Sequence, residues 1–155
     1  MFLGPLTVAV SVFFSSAYAA GMLRVGHEAE VVCLAENIYW EGRSEPPEGQ
    51  RAIAYVVLNR MAHPAFPNTV CDVVRGGGER SRGECQFSWW CDGLSDAIKD
   101  QEAWRRALIT ARSVLNSSDG DPTNGAVFYH ATTVTPEWTK ERHIVARIGS
   151  HLYYR

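Results

Sequence analysis

Three carboxylates, Glu41, Glu45 and Glu48, stand close together between two apolar helical patterns and beside Pro46-Pro47. Val31, Val32, Ala35 and Ile38/Tyr39 recur at helical spacing, so the Glu41 side chain is expected at or near that helix's C-terminal end. Unpaired carbonyls there carry partial negative charge and disfavour ionisation of a nearby carboxyl group. Desolvation by Tyr39 and Trp40 would act in the same direction. A carboxylic acid kept protonated near neutral pH can donate a proton to a leaving oxygen, as cleavage of a glycosidic bond requires. The ordinary alternative is a solvated carboxylate, four residues from Glu45 and paired with Arg43 or Arg51. Glu45 precedes a proline, which ends the helix before it. Glu48 falls in the first turn of the next helix, where the dipole accounts for its charge. Glu41 has no such structural account and ranks first as a catalytic acid.

Further along, Gln86-Phe87-Ser88-Trp89-Trp90 alternates polar and aromatic residues, the pattern of an extended segment lining a groove. Gln86 and Ser88 would then share a face and offer an amide and a hydroxyl to a sugar or N-acetyl group, or simply to water. Trp40, Trp89, Trp90, Trp138 and Tyr129 fall at element ends or in loops, whereas Trp104 lies within a helical stripe. Such rings stack on sugar faces in a carbohydrate cleft, or complete the core of a small domain. Five histidines raise zinc as a possibility, but none forms the short helical pair of a zinc motif. His130 and His151 end strand candidates and could meet in space. No metal or cofactor is expected.

A chain of 155 residues suits one domain. Residues 1–19 are uncharged and contain the apolar run LTVAVSVFF before Ala17-Tyr18-Ala19, a small-x-small cleavage pattern. The expectation is a signal peptide over 1–19 and a mature chain over 20–155, exported to the periplasm, cell envelope or exterior. An uncleaved anchor is the alternative, but the apolar run is short for a bilayer, so no stable membrane insertion is expected after cleavage. Four cysteines agree with an oxidising compartment. Three connectivities are possible, and Cys33–Cys71 with Cys85–Cys91 is the expected one. The formal charge of −2 is spread along the chain without a basic tract, which argues against nucleic acid or a polybasic membrane patch. No feature of the sequence argues against a monomer.

The elements that must position these residues are expected as follows. Helices cover about 27–41, Pro47–Met61, a short stretch capped by Thr69 through Val74, and Asp96–Asn116 with a stripe of Ile98, Trp104, Leu108, Ala111 and Leu115. Arg75–Glu84 is glycine-rich and reads as an exposed connection, without the Gly-Lys-Ser/Thr ending of a phosphate loop. Ala126–His130 and Ile148–Tyr154 are short strand candidates around a loop with Pro136 and Trp138. The sum is a mostly helical α+β domain.

Glu41-Gly42-Arg43-Ser44-Glu45, Glu48-Gly49-Gln50 and Ala54–Arg60 resemble segments of the cell-wall hydrolase family typified by the spore-cortex-lytic enzyme SleB. Phe66–Cys71, Gln86–Trp89, Gly125–His130, Ile148-Gly149 and His151 resemble its later blocks, so the likeness spans residues 33 to 155. Gly42 and Ser44 depart from the family's Ala and Gly. The resemblance implies a lysozyme-like fold acting on the glycan strands of peptidoglycan, with Glu41 as acid/base and Gln86, Ser88, Trp89, Tyr129, His130 and Glu45 as substrate contacts. It implies cleavage between N-acetylmuramic acid and N-acetylglucosamine. Lytic transglycosylation needs one carboxylate, whereas hydrolysis usually adds a second, for which Glu45 and Glu48 are nearby. Two alternatives from other classes are a non-catalytic glycan-binding module and a zinc amidase using His130 and His151.

Overall fold

The computed structural model describes residues 11–76, 85–117 and 119–155, with side chains from residue 26 onward. Four helices, α1 (Ser11–Gly42), α2 (Pro47–Ala62), α3 (Val70–Arg75) and α4 (Gln101–Asn116), precede a sheet of β1 (Phe128–Ala131), β2 (Ile144–Ile148) and β3 (His151–Tyr154). One-turn 3₁₀ segments occupy Ser88–Trp90 and Glu137–Glu141.

The caps follow from local chemistry. Thr69 accepts a hydrogen bond from the Asp72 amide at 3.1 Å and starts α3. Asp100 accepts from the amides of Glu102 and Ala103 at 3.1 and 2.9 Å, so α4 begins at Gln101 and not at the expected Asp96. Pro46 ends the α1–α2 link in extended geometry, and Pro47 opens α2.

α2 is the spine of the molecule. Ala54 and Val57 face a core shared with Val31, Leu34, Ala35 and Ile38 of α1, and with Val70, Val73 and Val74 of α3. Ala52 and Val56 face the sheet through Ala126 and Tyr153. The buried stripe of α4 is Ala103, Ala107, Ala111 and Val114, while the bulkier Trp104, Leu108 and Leu115 only flank it. Small residues one turn apart let α4 sit close against α1, so three of the bulky residues expected in its stripe are displaced to the margin.

The sheet is antiparallel in the order β1-β3-β2, with Tyr129 opposite Tyr153 and Ala131 opposite His151. The expected single strand over Ile148–Tyr154 is instead a turn: Ile148 closes β2, Gly149 takes φ +55°, and β3 starts at His151. Residues 144–147, the rest of β2, fall in a segment not expected to be a strand. Gln86–Trp90 is not extended throughout, because Ser88–Trp90 coils into a 3₁₀ turn. α1 reaches back to Ser11, through the expected cleavage position, while residues 1–10 and all of the Arg75–Glu84 connection after Gly76 lie outside the described residues. Among the described residues no helix is long and apolar enough to cross a membrane. Cys33 bonds Cys71, tying α1 to α3, and Cys85 bonds Cys91.

Candidate active site

Glu41 is the penultimate residue of α1, where the helix meets the sheet. Two contacts hold this end in place. Gln50 of α2 donates its side-chain amide to the Gly42 carbonyl at 3.2 Å, capping the helix. Gly42 packs so tightly that a Cβ there would stand 2.6 Å from Cδ1 of Ile53, so even alanine would displace that side chain.

Tyr129 of β1 donates its hydroxyl to Oε2 of Glu41 at 2.9 Å. Burial pushes the Glu41 carboxyl above the ordinary carboxylate range, while the Tyr129 hydrogen bond and the positive charge of Arg60 act in the opposite direction. The direction matches the expectation, and desolvation, one of the two expected causes, dominates. Tyr39 and Trp40 face a cleft on a neighbouring side of α1. The dominant cause for Glu41 is its burial at the junction of α1 and the sheet. The Tyr129 phenol itself is held well above its usual range by burial and by Glu41, so it stays a donor.

Arg60, absent from the catalytic and contact residues expected from sequence, lies beneath this pair and is 5% exposed. Its Nε donates to the Val127 carbonyl at 2.8 Å, and its guanidinium lies over the rings of Phe87 and Phe66 at 4.9 and 5.3 Å. Nη1 is buried without a hydrogen-bond partner among the described residues. The available signal was periodicity: Arg60 continues the Ile53, Val56, Val57 stripe, where a cation is out of place unless it serves a buried charge.

Glu45 engages the β2–β3 turn. Its carboxylate accepts the Ser150 amide at 3.1 Å and the Ser150 hydroxyl, and Oε1 is 3.6 Å from Nδ1 of His151. Gly149 and Gly49 leave the room for it: a Cβ on either would strike Oε2. His151 in turn meets the Tyr129 ring edge to face at 5.3 Å, and burial holds its imidazole below the usual range despite Glu45. Glu45 therefore braces the β2–β3 turn, and its connection to Glu41 runs through His151 and Tyr129.

The other expected contacts scatter. Strand alternation puts His130 on the opposite face from Tyr129 and His151, so the two histidines do not converge. His130 bonds the Tyr154 hydroxyl and the Ala131 carbonyl, both at 2.8 Å. Gln86 and Ser88 are exposed, whereas Trp89 is buried, stacks on Trp40 and donates its indole N–H to Asn37 at 3.2 Å. No group of three or more His, Cys, Asp or Glu among the described residues is arranged to hold a metal ion.

The family model described as Cell Wall Hydrolase matches residues 44–154. The chain belongs to the cell wall hydrolase family. A relative named spore cortex-lytic enzyme from Bacillus subtilis is 34% identical over 141 residues, covering 88% of this chain and 41% of that protein. A second, from Halalkalibacterium halodurans, is 34% identical over 125 residues, 80% of this chain and 34% of that protein. The chain thus spans less than half the length of these curated relatives. Among solved structures, the catalytic domain of Bacillus cereus SleB superposes with a TM-score of 0.60 at 29% identity, covering 83% of this chain and 91% of that domain. The catalytic domain of the germination-specific lytic transglycosylase SleB from Bacillus anthracis gives 0.60 at 31% identity, covering 81% and 93%. The α+β architecture of this cell wall hydrolase is that of the SleB catalytic domains. The family match starts after Glu41, so the role of Glu41 rests on the geometry of the site.

Proposed function

We propose that this cell wall hydrolase is an exported enzyme that cleaves peptidoglycan glycan strands between N-acetylmuramic acid and N-acetylglucosamine by lytic transglycosylation. The observation that carries this reading is that, of Glu41, Glu45 and Glu48, Glu41 alone is held against the sheet as an acid. Glu41 is half-buried, kept toward its protonated form and held by Tyr129. Glu45, the nearest alternative in sequence, is bound to Ser150 and faces His151, and Glu48 is exposed on the first turn of α2. A hydrolytic route usually requires a second free carboxylate to direct water.

In the first half of the reaction Glu41 gives its proton to the glycosidic oxygen as the bond from that oxygen to muramic C1 breaks. Positive charge develops on the sugar ring. Glu41 is then a carboxylate, stabilised by the Tyr129 hydroxyl and the buried Arg60 charge. In the second half that carboxylate takes the proton of the muramic 6-hydroxyl while its oxygen closes onto C1. The product is a 1,6-anhydro end, and Glu41 is again protonated. No water is consumed.

Mass spectrometry of soluble products from purified peptidoglycan, beside a Glu41→Gln control, tests the proposal. Anhydromuramyl ends absent from the control are expected. Reducing muramic ends would replace the reading by hydrolysis, and intact glycan in both samples would favour a binding module or a peptide-cleaving enzyme.

A further inference from the structure

A cleft of about 430 Å³ opens beside Tyr39 and Trp40 of α1 and Arg43 just beyond its end, around the helix from Glu41. Its floor is Trp40 stacked on Trp89 at 6.2 Å, with Trp89 fixed by Asn37. Its far wall, the segment from Asp92 to Lys99, is fastened at one end by the Cys85–Cys91 bond. At the other end the amides of Lys99 and Asp100 donate to the Tyr39 hydroxyl at 3.3 and 3.1 Å.

Two cations and two anions on this cleft call for charged partners, which a glycan's hydroxyls and N-acetyl groups do not supply. Arg43 and Lys99 bring two cations, Asp92 and Asp96 two anions, and none of the four forms an ion pair among the described residues. Arg43 lies 5.6 Å above the rings of both Tyr39 and Trp40, poised at the rim. Among the described residues Asp92 accepts only the local amide of Leu94, at 2.7 Å. Asp96 is held above its usual range by burial and by the negative charges of Asp92 and Glu36, the state of a carboxylate without a cation. Leu94, 76% exposed on the wall, adds apolar surface. A glycan strand offers hydroxyls and N-acetyl groups. The peptide stem on its muramic residues offers carboxylates, an ammonium or its amide, and methyl groups, carried by the very sugar whose C1 bond is to be cut.

We propose that this cleft is a peptide-stem subsite, in which Arg43 and Lys99 receive stem carboxylates and Asp92 with Asp96 receives the side-chain ammonium of the stem diamino acid. The assignment rests on the glycan-cleaving reading for its biological context, and its test does not. The probe is a soluble stem tetrapeptide with free carboxylates and a free side-chain ammonium, titrated calorimetrically into Glu41→Gln protein.

Binding is expected, with about tenfold loss of affinity in the added Arg43→Ala/Lys99→Ala background, since two exposed ion pairs of up to about 0.7 kcal/mol each amount to a factor of ten. A peptide with amidated carboxylates is expected to lose affinity equally in the unsubstituted cleft. No binding, or affinity indifferent to both changes, overturns the assignment. In parallel, kcat/KM of the protein with Glu41 intact is expected to be several-fold higher on stem-bearing than on stem-free glycan, and Arg43→Ala/Lys99→Ala should abolish that preference without slowing stem-free cleavage. Equal rates on the two substrates also overturn it. Peptide binding with no cleavage of either glycan would support the subsite and sink the proposed reaction instead.

Discussion

Tyr129 on β1 donates its hydroxyl to Oε2 of Glu41 at the end of α1 across 2.9 Å, joining the sheet to the helical half through one hydrogen bond. The bond favours the carboxylate over the acid and so opposes the upward push of burial. Tyr129→Phe removes that opposition. The pKa of Glu41 is expected to rise further, moving the alkaline limb of kcat/KM to higher pH. The rate below that limb is expected to fall about tenfold, because the carboxylate formed after proton donation loses a charge-assisted hydrogen bond. A pH profile of anhydromuramyl product release checks both effects. An unmoved limb would reduce Tyr129 to packing.

The same burial makes Glu41 a liability for stability. A carboxyl group whose folded pKa lies above its unfolded value binds more protons in the folded state across the interval between them. Stability therefore falls as pH rises from the ordinary carboxylate range, about 4.3, through the folded value, and stays lower above it. Glutamine does not titrate and keeps a carbonyl for Tyr129. Glu41→Gln is expected to melt a few degrees above the unsubstituted protein near neutral pH, with the gap closing toward about pH 4. Melting curves across that range check the sign. A gap that widened in acid would contradict the burial of Glu41.

Cys33, buried in α1, and Cys71 of α3 close a loop with a sequence separation of 38. Constraining the unfolded chain over a loop of this length contributes about 2–4 kcal/mol. Cys33→Ala/Cys71→Ala is expected to lower the urea midpoint accordingly while leaving cleavage at low temperature intact, since neither sulfur approaches Glu41 or Tyr129. Chemical denaturation beside a product assay checks this.

The helices were legible because their signals are local. Apolar spacing gave α1 and α2, Thr69 gave the start of α3, and the position of Glu41 at a helix end followed from periodicity and the proline pair. What remained hidden depends on distant partners. Gly149 reads as an ordinary strand glycine until Glu45, far away in sequence, is seen to occupy the space beside it. The alanine stripe of α4 is chosen by the close approach of α1, which no property of α4 alone announces. His130 and His151 looked like partners, but one register decision put them on opposite faces. Arg60 was visible as a misplaced charge, yet its service to Glu41 emerges only when α2, β1 and the end of α1 meet.

Glu45 supplies the sharpest division between the two chemical routes. Its side chain is 6% exposed and already bound to Ser150, with His151 3.6 Å away, so it is expected to act on the site through the turn and not on the glycan. Glu45→Gln keeps the shape and an acceptor for Ser150, and cleavage is expected to persist within about tenfold, against a loss of at least about a thousandfold for Glu41→Gln. Glu45→Ala strands the Ser150 amide and is expected to destabilise the fold by about 1–3 kcal/mol. Gly149→Ala is expected to destabilise it comparably, about 1–3 kcal/mol, through its φ of +55° and the collision of its Cβ with the Glu45 carboxylate. Thermal melts of the variants, read beside product analysis, separate a brace from a catalyst. If Glu45→Gln melted like the unsubstituted protein and abolished cleavage as completely as Glu41→Gln, Glu45 would be the second carboxylate and water would be the nucleophile.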